Sequence, residues 1–345
     1  MIDLVSDTVT RPTPAMRRVM AEAEVGDEQL GEDPSVNRLQ EMVAELTGKE
    51  AALFLPSGTM CNLVGIKVLT QPGDRIIIER TAHPVTSEAG GPGLVCGVLT
   101  YLVDGVRGVF TAEQVEAAAD PGDGVHTPPT TLVCIENTHN RGGGKIWPIE
   151  TLQAVCATAH RLGLKVHMDG ARLLNAVVAT GLPAATWCRS VDTVWIDLSK
   201  GLGCPVGAVL AGDGETMRLA RRYKQMFGGA MRQAGILAAA GIYALQHHVE
   251  RLAEDHANAR LLAEGLAETP GIGLDPAEVE TNIVFFDVQN TGMTAAAFTE
   301  ALLAEGVRMG AVGRYRVRAV THPDVTRQDI ERAIQAVRRV VLGRR

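Results

Sequence analysis

The sequence predicts an α/β fold, a sheet with helices on both faces, followed by a smaller α+β unit. Three observations predict it. Short, almost continuously apolar runs recur through residues 35–250, as strands buried on both faces require. Stretches with apolar positions at helical spacing alternate with those runs. After Thr269-Pro270-Gly271 the pattern becomes strand, helix, strand, helix to the end of the chain.

The elements follow in order. Pro34-Ser35-Val36 opens a helix to Thr47, with Val36, Leu39, Val43 and Leu46 on one face and Gly48 as its stop. Residues 51–55 read as a strand, and Pro56-Ser57-Gly58-Thr59 turns into a helix over 60–69. Further strands are expected at 75–78, 131–136, 165–168, 193–197 and 208–210, with a helix over 148–162. Periodicity leaves parallel and mixed pairing both open. One long helical region is expected over about 235–266, then strand 283–288, helix 295–305, strand 316–320 and helix 327–342. The chain accordingly divides into a large unit, 1–250, which includes an N-terminal arm, and a small C-terminal unit, 251–345.

Composition narrows the function classes. The chain has 345 residues, 46% hydrophobic and 21% charged, a globular balance that argues against disorder. The formal charge of −7, with no concentrated basic tract, argues against nucleic acid as a partner. The longest apolar run, 234–245, is too short for a membrane span, and Met1-Ile2-Asp3-Leu4 does not open a signal peptide. Six scattered cysteines without a C-x-x-C pair read as buried small hydrophobes in a reducing cytoplasm, and no metal site is expected.

Three segments place polar groups at the ends of apolar strands. Ser57-Gly58-Thr59 lies between strand and helix, where backbone N–H groups suit a phosphate, although a plain turn has the same composition. Asp169 ends the run Val166-His167-Met168, where a carboxylate needs a cation or N–H partner. It either meets a protonated heterocycle nitrogen or caps a helix and pairs with Arg172. Lys200 follows Val194-Trp195-Ile196-Asp197-Leu198-Ser199 and precedes glycines, which suits either a desolvated, imine-forming amine or a solvated lysine. The 31 residues from Asp169 to Lys200 fit strand, helix and neighbouring strand, so both groups can face one cavity at the strands' C-terminal ends. Phosphate cradle, carboxylate and lysine together are what pyridoxal 5'-phosphate requires. A dinucleotide site is the competitor, but no G-x-G-x-x-G stands in strand–turn–helix context near the N-terminus.

Ordered motifs then identify a resemblance. Asp3-Leu4-Val5-Ser6-Asp7-Thr8-Val9-Thr10, Gly31-Glu32-Asp33-Pro34, Glu136-Asn137-Thr138-His139-Asn140, Asp169-Gly170-Ala171-Arg172, Leu198-Ser199-Lys200-Gly201-Leu202, Gly228-Gly229-Ala230-Met231-Arg232-Gln233 and Arg318-Ala319-Val320-Thr321-His322 resemble the low-specificity L-threonine aldolases over nearly the whole chain. The resemblance implies an aspartate-aminotransferase-like large domain (fold type I) with a mostly parallel sheet, a small α+β C-terminal domain, and a homotetramer with sites at dimer interfaces. It implies that Lys200 carries pyridoxal phosphate, Asp169 pairs with the pyridine nitrogen, and Gly58, Thr59 and a neighbouring subunit's Arg232 bind the phosphate. His83 would stack on the ring and, like His126, be a candidate base. Ser6, Arg172 and Arg318 would grip the substrate carboxylate.

The implied reaction is reversible cleavage of L-threonine, L-allo-threonine or a related L-β-hydroxy-α-amino acid to glycine and an aldehyde. A β-eliminating lyase or dehydratase is the alternative. The chain departs from the family pattern at Leu30, at Pro84-Val85-Thr86-Ser87 where aromatics are usual, at Gln225 in place of a basic residue beside Lys224, and at Asp197. Those departures imply an altered wall facing the β-substituent.

Overall fold

The computed structural model describes residues 1–343. The chain starts with a short strand, β1 (Ile2–Asp3), followed by helices α1 (Pro14–Ala21) and α2 (Pro34–Thr47). Asp33 caps α2 by accepting from the Val36 N–H, Pro34 occupies its first turn, and Gly48 ends it at φ 67°, a left-handed conformation that glycine adopts without a steric penalty.

The main sheet has seven strands: β2 (Ala51–Leu55), β3 (Arg75–Glu79), β4 (Leu99–Val103), β5 (Thr130–Glu136), β6 (Lys165–Gly170), β7 (Thr193–Asp197) and β8 (Ala208–Gly212). Their spatial order is β2-β8-β7-β6-β5-β3-β4, and β8 alone runs antiparallel to its neighbours. The sheet is therefore mostly parallel, and the question left open by periodicity is resolved as mixed. β6 and β7 are parallel neighbours, so the spacing between Asp169 and Lys200 does bring their strand ends side by side. Helix α3 (Gly58–Leu69) covers one face, where Trp195, Leu53, Leu210, Cys61 and Val64 share a cluster. The other face packs against α2 and the helix Ile149–Arg161 through Phe54, Ile135, Met168 and Ile196.

The C-terminal unit is a three-stranded antiparallel sheet, with β9 (Ile283–Asp287) paired to β12 (Arg316–Val320) and β12 to β11 (Gly310–Ala311). The short β10 (Val307–Arg308) pairs instead with β1. Leu4 is buried in the C-terminal cluster with Phe286, Phe298 and Val317. The N-terminal arm thus packs on the small unit.

Several elements differ from the sequence expectation. The region 235–266 is not one helix but two, Gly235–His247 and Leu252–Ala267. The chain turns at His248, whose buried ring nitrogen Nδ1 lies 2.7 Å from the Leu202 carbonyl oxygen. The edge strand β4 was not expected; three of its five residues are exposed, which weakens the apolar signal of a covered strand. The helix Gly214–Met226, rich in charged residues, buries only Met217, Ala220 and Lys224. All six cysteines are buried and unpaired, as expected. Among the described residues no helix is long and apolar enough to cross a membrane.

Candidate active site

Parallel register sets Glu136, Asp169 and Trp195 side by side across β5, β6 and β7. α3 then runs over them, starting at Ser57, whose hydroxyl accepts from the Met60 N–H. Gly58 is required at that start: a Cβ there would lie 2.4 Å from the Trp195 ring. Thr59 is exposed in the first turn, beside the N–H groups that a helix start leaves free for an anion.

Asn62, one turn into α3, is the hub beneath the site. Its Nδ2 donates to Asp169 Oδ2 at 2.8 Å and Glu88 Oε1 at 2.6 Å. Its Oδ1 accepts from Trp195 Nε1 at 2.7 Å and lies 3.1 Å from His167 Nε2. Asp169 also accepts from the Ala171 N–H, and Arg172 pairs with Asp7 instead. Burial, reinforced by the Glu136 carboxylate, pushes the Asp169 carboxyl up to about 6. A cationic N–H facing it would restore the charged form.

His83 begins the short helix His83–Thr86, with its backbone N–H on Glu136 Oε2. Its Nδ1 lies 2.7 Å from Glu88 Oε1. That hydrogen bond raises the His83 pKa against the opposing effect of burial, with help from Asp169 and Glu136. An ionised carboxylate only accepts, so Nδ1 carries the proton and Nε2 is left for a ligand. Potential metal-ligand atoms of His83, Glu88 and Asp169 lie within 4.8 Å of one another. The grouping coincides with the site already traced, and Asp169 is held there by Asn62 and the Ala171 N–H.

Lys200 follows β7, and its Nζ lies 2.8 Å from Asp197 Oδ2 and 5.5 Å from the Trp195 ring centroid. Arg172 is buried and bidentate on Asp7, at 2.8 Å from Nε and 2.7 Å from the second nitrogen. Burial alone would raise the Asp7 carboxyl; the Arg172 charge and hydrogen bonds, the Lys200 charge and the Asn282 hydrogen bond together outweigh it and hold the group at about 2. Arg318 on β12 donates to Asn140 Oδ1 and to the Val5 carbonyl, while its buried Nε has no partner. Burial and the Arg172 charge both lower its pKa, so the two guanidinium groups share a field that an anion would relieve. Ser6 accepts from Thr8 in the turn just before Asp7.

Two expected site residues are not brought in by this chain. His126 stands exposed in the connection between Ala119 and Thr130. Arg232 is 61% exposed and paired with Asp27 at 2.7 Å. Lys224, in the charged helix Gly214–Met226, is buried against Glu28, because its helix turns that position towards the core. Sequence reasoning missed Asp7, Asn62 and Glu88. Asp7 sat within a motif already singled out, whereas Asn62 and Glu88 carried no local signal.

The residues fit pyridoxal phosphate: a glycine-started helix for the phosphate, a buried carboxyl awaiting a cation, and an amine beside both. The orphaned Arg318 Nε adds a place for a carboxylate. The sequence model of the beta-eliminating lyase family matches residues 3–291. The chain is 41% identical over 345 residues to low-specificity L-threonine aldolase 1 of Arabidopsis thaliana, covering 99% of this chain and 96% of that protein. It is 44% identical over 331 residues to the low specificity L-threonine aldolase of Escherichia coli K12, covering 96% of each. Its fold matches a solved Leishmania major threonine aldolase with a TM-score of 0.83 at 21% identity, covering 99% of this chain and 100% of that one. The chain therefore belongs to the beta-eliminating lyase family, among the low-specificity L-threonine aldolases.

Proposed function

We propose that this protein is a pyridoxal-phosphate-dependent carbon–carbon lyase that cleaves L-threonine, L-allo-threonine and related L-β-hydroxy-α-amino acids reversibly to glycine and an aldehyde. The observation that carries the reading is the convergence of Lys200, Asp169 and the start of α3 around one point, beside the Arg172 and Arg318 guanidinium groups. Pyridoxal phosphate supplies an aldehyde to which an amine attaches and a ring that accepts electrons. Gly58 and Thr59 present the helix start to its phosphate, and Asp169 keeps a proton on its ring nitrogen. Lys200 is the amine that carries it. Arg318 and Arg172, with Ser6, hold the substrate carboxylate and so fix which bond at Cα stands in line with the ring. His83, protonated on Nδ1 towards Glu88, offers Nε2 to take the proton of the β-hydroxyl.

Arg232 completes the site from a neighbouring subunit in this reading, in a homotetramer with active sites at dimer interfaces, and His126 remains a second candidate base. Exposed Val25, Leu30, Met226 and Ile236, in the same segments as Arg232 and its partner Asp27, support an apolar contact there. Two separate apolar clusters support the division into a large unit, 1–250, and a small one, 251–345. Six unpaired, buried thiols support a reducing, cytoplasmic setting.

The test is incubation of the purified protein and pyridoxal phosphate with L-threonine, L-allo-threonine and phenylserine. Glycine and an aldehyde in equal amounts are expected. A keto acid with ammonia would instead make the protein a β-eliminating lyase, and no turnover of any of the three would overturn both readings.

A further inference from the structure

We propose that Asp197 is a counter-charge to the cofactor-carrying amine, holding Lys200 when the cofactor is absent and making cofactor attachment readily reversible. This rests on the cofactor site proposed above. Asp197 is the last residue of β7 and buried, and its position is fixed: Oδ1 accepts from both the N–H and the hydroxyl of Ser199, each at 2.8 Å. The remaining oxygen, Oδ2, lies 2.8 Å from Lys200 Nζ, whose side chain is only 16% exposed. An ion pair this sheltered is screened far less than a surface pair.

The same oxygen faces the phosphate cradle. A Cβ built on Gly58 would lie 3.2 Å from Asp197 Oδ2, so a carboxylate stands directly beside the helix start that receives the anion. Other charges reach the amine as well: Asp7 and Asp169 from the large unit both interact with Lys200, while Arg172 offsets them from beside Asp7. Among these, Asp197 is the carboxylate in direct contact with the amine and also beside Gly58.

Two consequences point the same way. Attachment joins Nζ to the aldehyde carbon and releases the aldehyde oxygen as water, with two hydrogens from the lysine ammonium. The attacking nitrogen needs a free electron pair, so it must first leave its ion pair and give a proton to Asp197. Asp197 then gives that proton to the departing hydroxyl, which leaves as water, and one hydrogen stays on the nitrogen. The phosphate, meanwhile, settles against a like charge. Giving up the direct ammonium–carboxylate contact and placing the phosphate beside a like charge both disfavour the cofactor-bound state, and a neutral residue at position 197 removes both.

The experiment titrates apoprotein with pyridoxal 5'-phosphate at pH 8, following the visible absorption of the lysine-bound cofactor and the quenching of Trp195, one of three tryptophans. Asp197→Asn keeps an acceptor for Ser199 and should bind roughly tenfold more tightly, equivalent to about 1.4 kcal/mol. Its cofactor should also dialyse away more slowly. Asp197→Ser, smaller and neutral, should tighten binding in the same direction, which separates charge from packing. Equal or weaker binding in the folded neutral variants, judged by circular dichroism, overturns the inference. Absence of any Lys200-dependent absorption in the wild-type protein would instead overturn the cofactor site itself.

Discussion

Asp7 and Arg172 show how a site residue can be immobilised by a partner 165 positions away. Asp7 is held at about 2, below its ordinary 3.8, so its contribution to stability is present above pH 3.8 and is lost as pH falls through 2. Asp7→Asn leaves a buried guanidinium without its counter-charge, and should cost about 3–5 kcal/mol near neutral pH in denaturant unfolding. That deficit should shrink as pH falls from 4 towards 2; a deficit that stays constant would deny the ion pair its role. Glu88 acts on His83 with the opposite sign. A raised histidine pKa stabilises the fold fully below its unfolded value of 6.5, and the contribution fades as pH rises through the folded value. Glu88→Gln should therefore lower the His83 pKa, seen as an earlier titration of its ring proton resonances. It should also cost stability mainly below pH 6.5. An unmoved His83 titration would mean that Glu88 does not set its charge. Asp169 and Lys200 stood out in the sequence because each lies at or just after the end of an apolar strand. Asn62 and Glu88 did not, because a buried amide on a helix and a carboxylate after a short turn become partners only once β3, β6 and α3 are assembled.

Helix α3 joins the chemistry to the core, and its start is the position least tolerant of change. Gly58 needs no unusual backbone conformation; it is glycine because the Trp195 ring occupies the space of a side chain. Trp195 cannot withdraw freely, since its Nε1 is bonded to Asn62 and its ring is buried among Leu53, Leu210 and Val64. Gly58→Ala must displace either the helix start or the ring, an overpacking that should cost about 1–3 kcal/mol. The displaced N–H groups should also hold phosphate less well. The protein should lose both melting temperature and cofactor affinity, whereas intact affinity would show that the anion does not sit at this helix start. The main sheet was readable at this scale because covered strands are nearly pure apolar runs. The misread elements were those whose local chemistry conceals their packing. In the edge strand β4 three exposed residues of five hide the strand. The break after His247 is set by the distant Leu202 carbonyl and by no glycine or proline nearby.

At the scale of the molecule, the proposed substrate site lies between the two proposed units. Arg172 comes from the end of β6 in the large one and Arg318 from β12 in the small one. The N-terminal arm ties them: β1 pairs with β10, the Val320 N–H donates to Leu4, and Asp7 then crosses to Arg172. Arg318 reaches back, donating to Asn140 at 3.2 Å and to the Val5 carbonyl at 3.1 Å. Burial and the Arg172 charge disfavour its cationic form, and its Nε has no acceptor. A carboxylate between the two arginines removes all three penalties at once, so binding it should also hold the units together. Glycine, the small product, contains that carboxylate without a β-substituent. At a hundred times its dissociation constant it should stabilise the cofactor-loaded protein by about 2.7 kcal/mol, visible as a rise in melting temperature. Arg318→Ala should abolish that rise and raise KM far more than it lowers kcat. Arg318→Lys should restore little of either, because an ammonium cannot span both oxygens as a guanidinium does. A full glycine-induced rise in Arg318→Ala would place the carboxylate elsewhere, and the seam between the units would then be held by the arm alone.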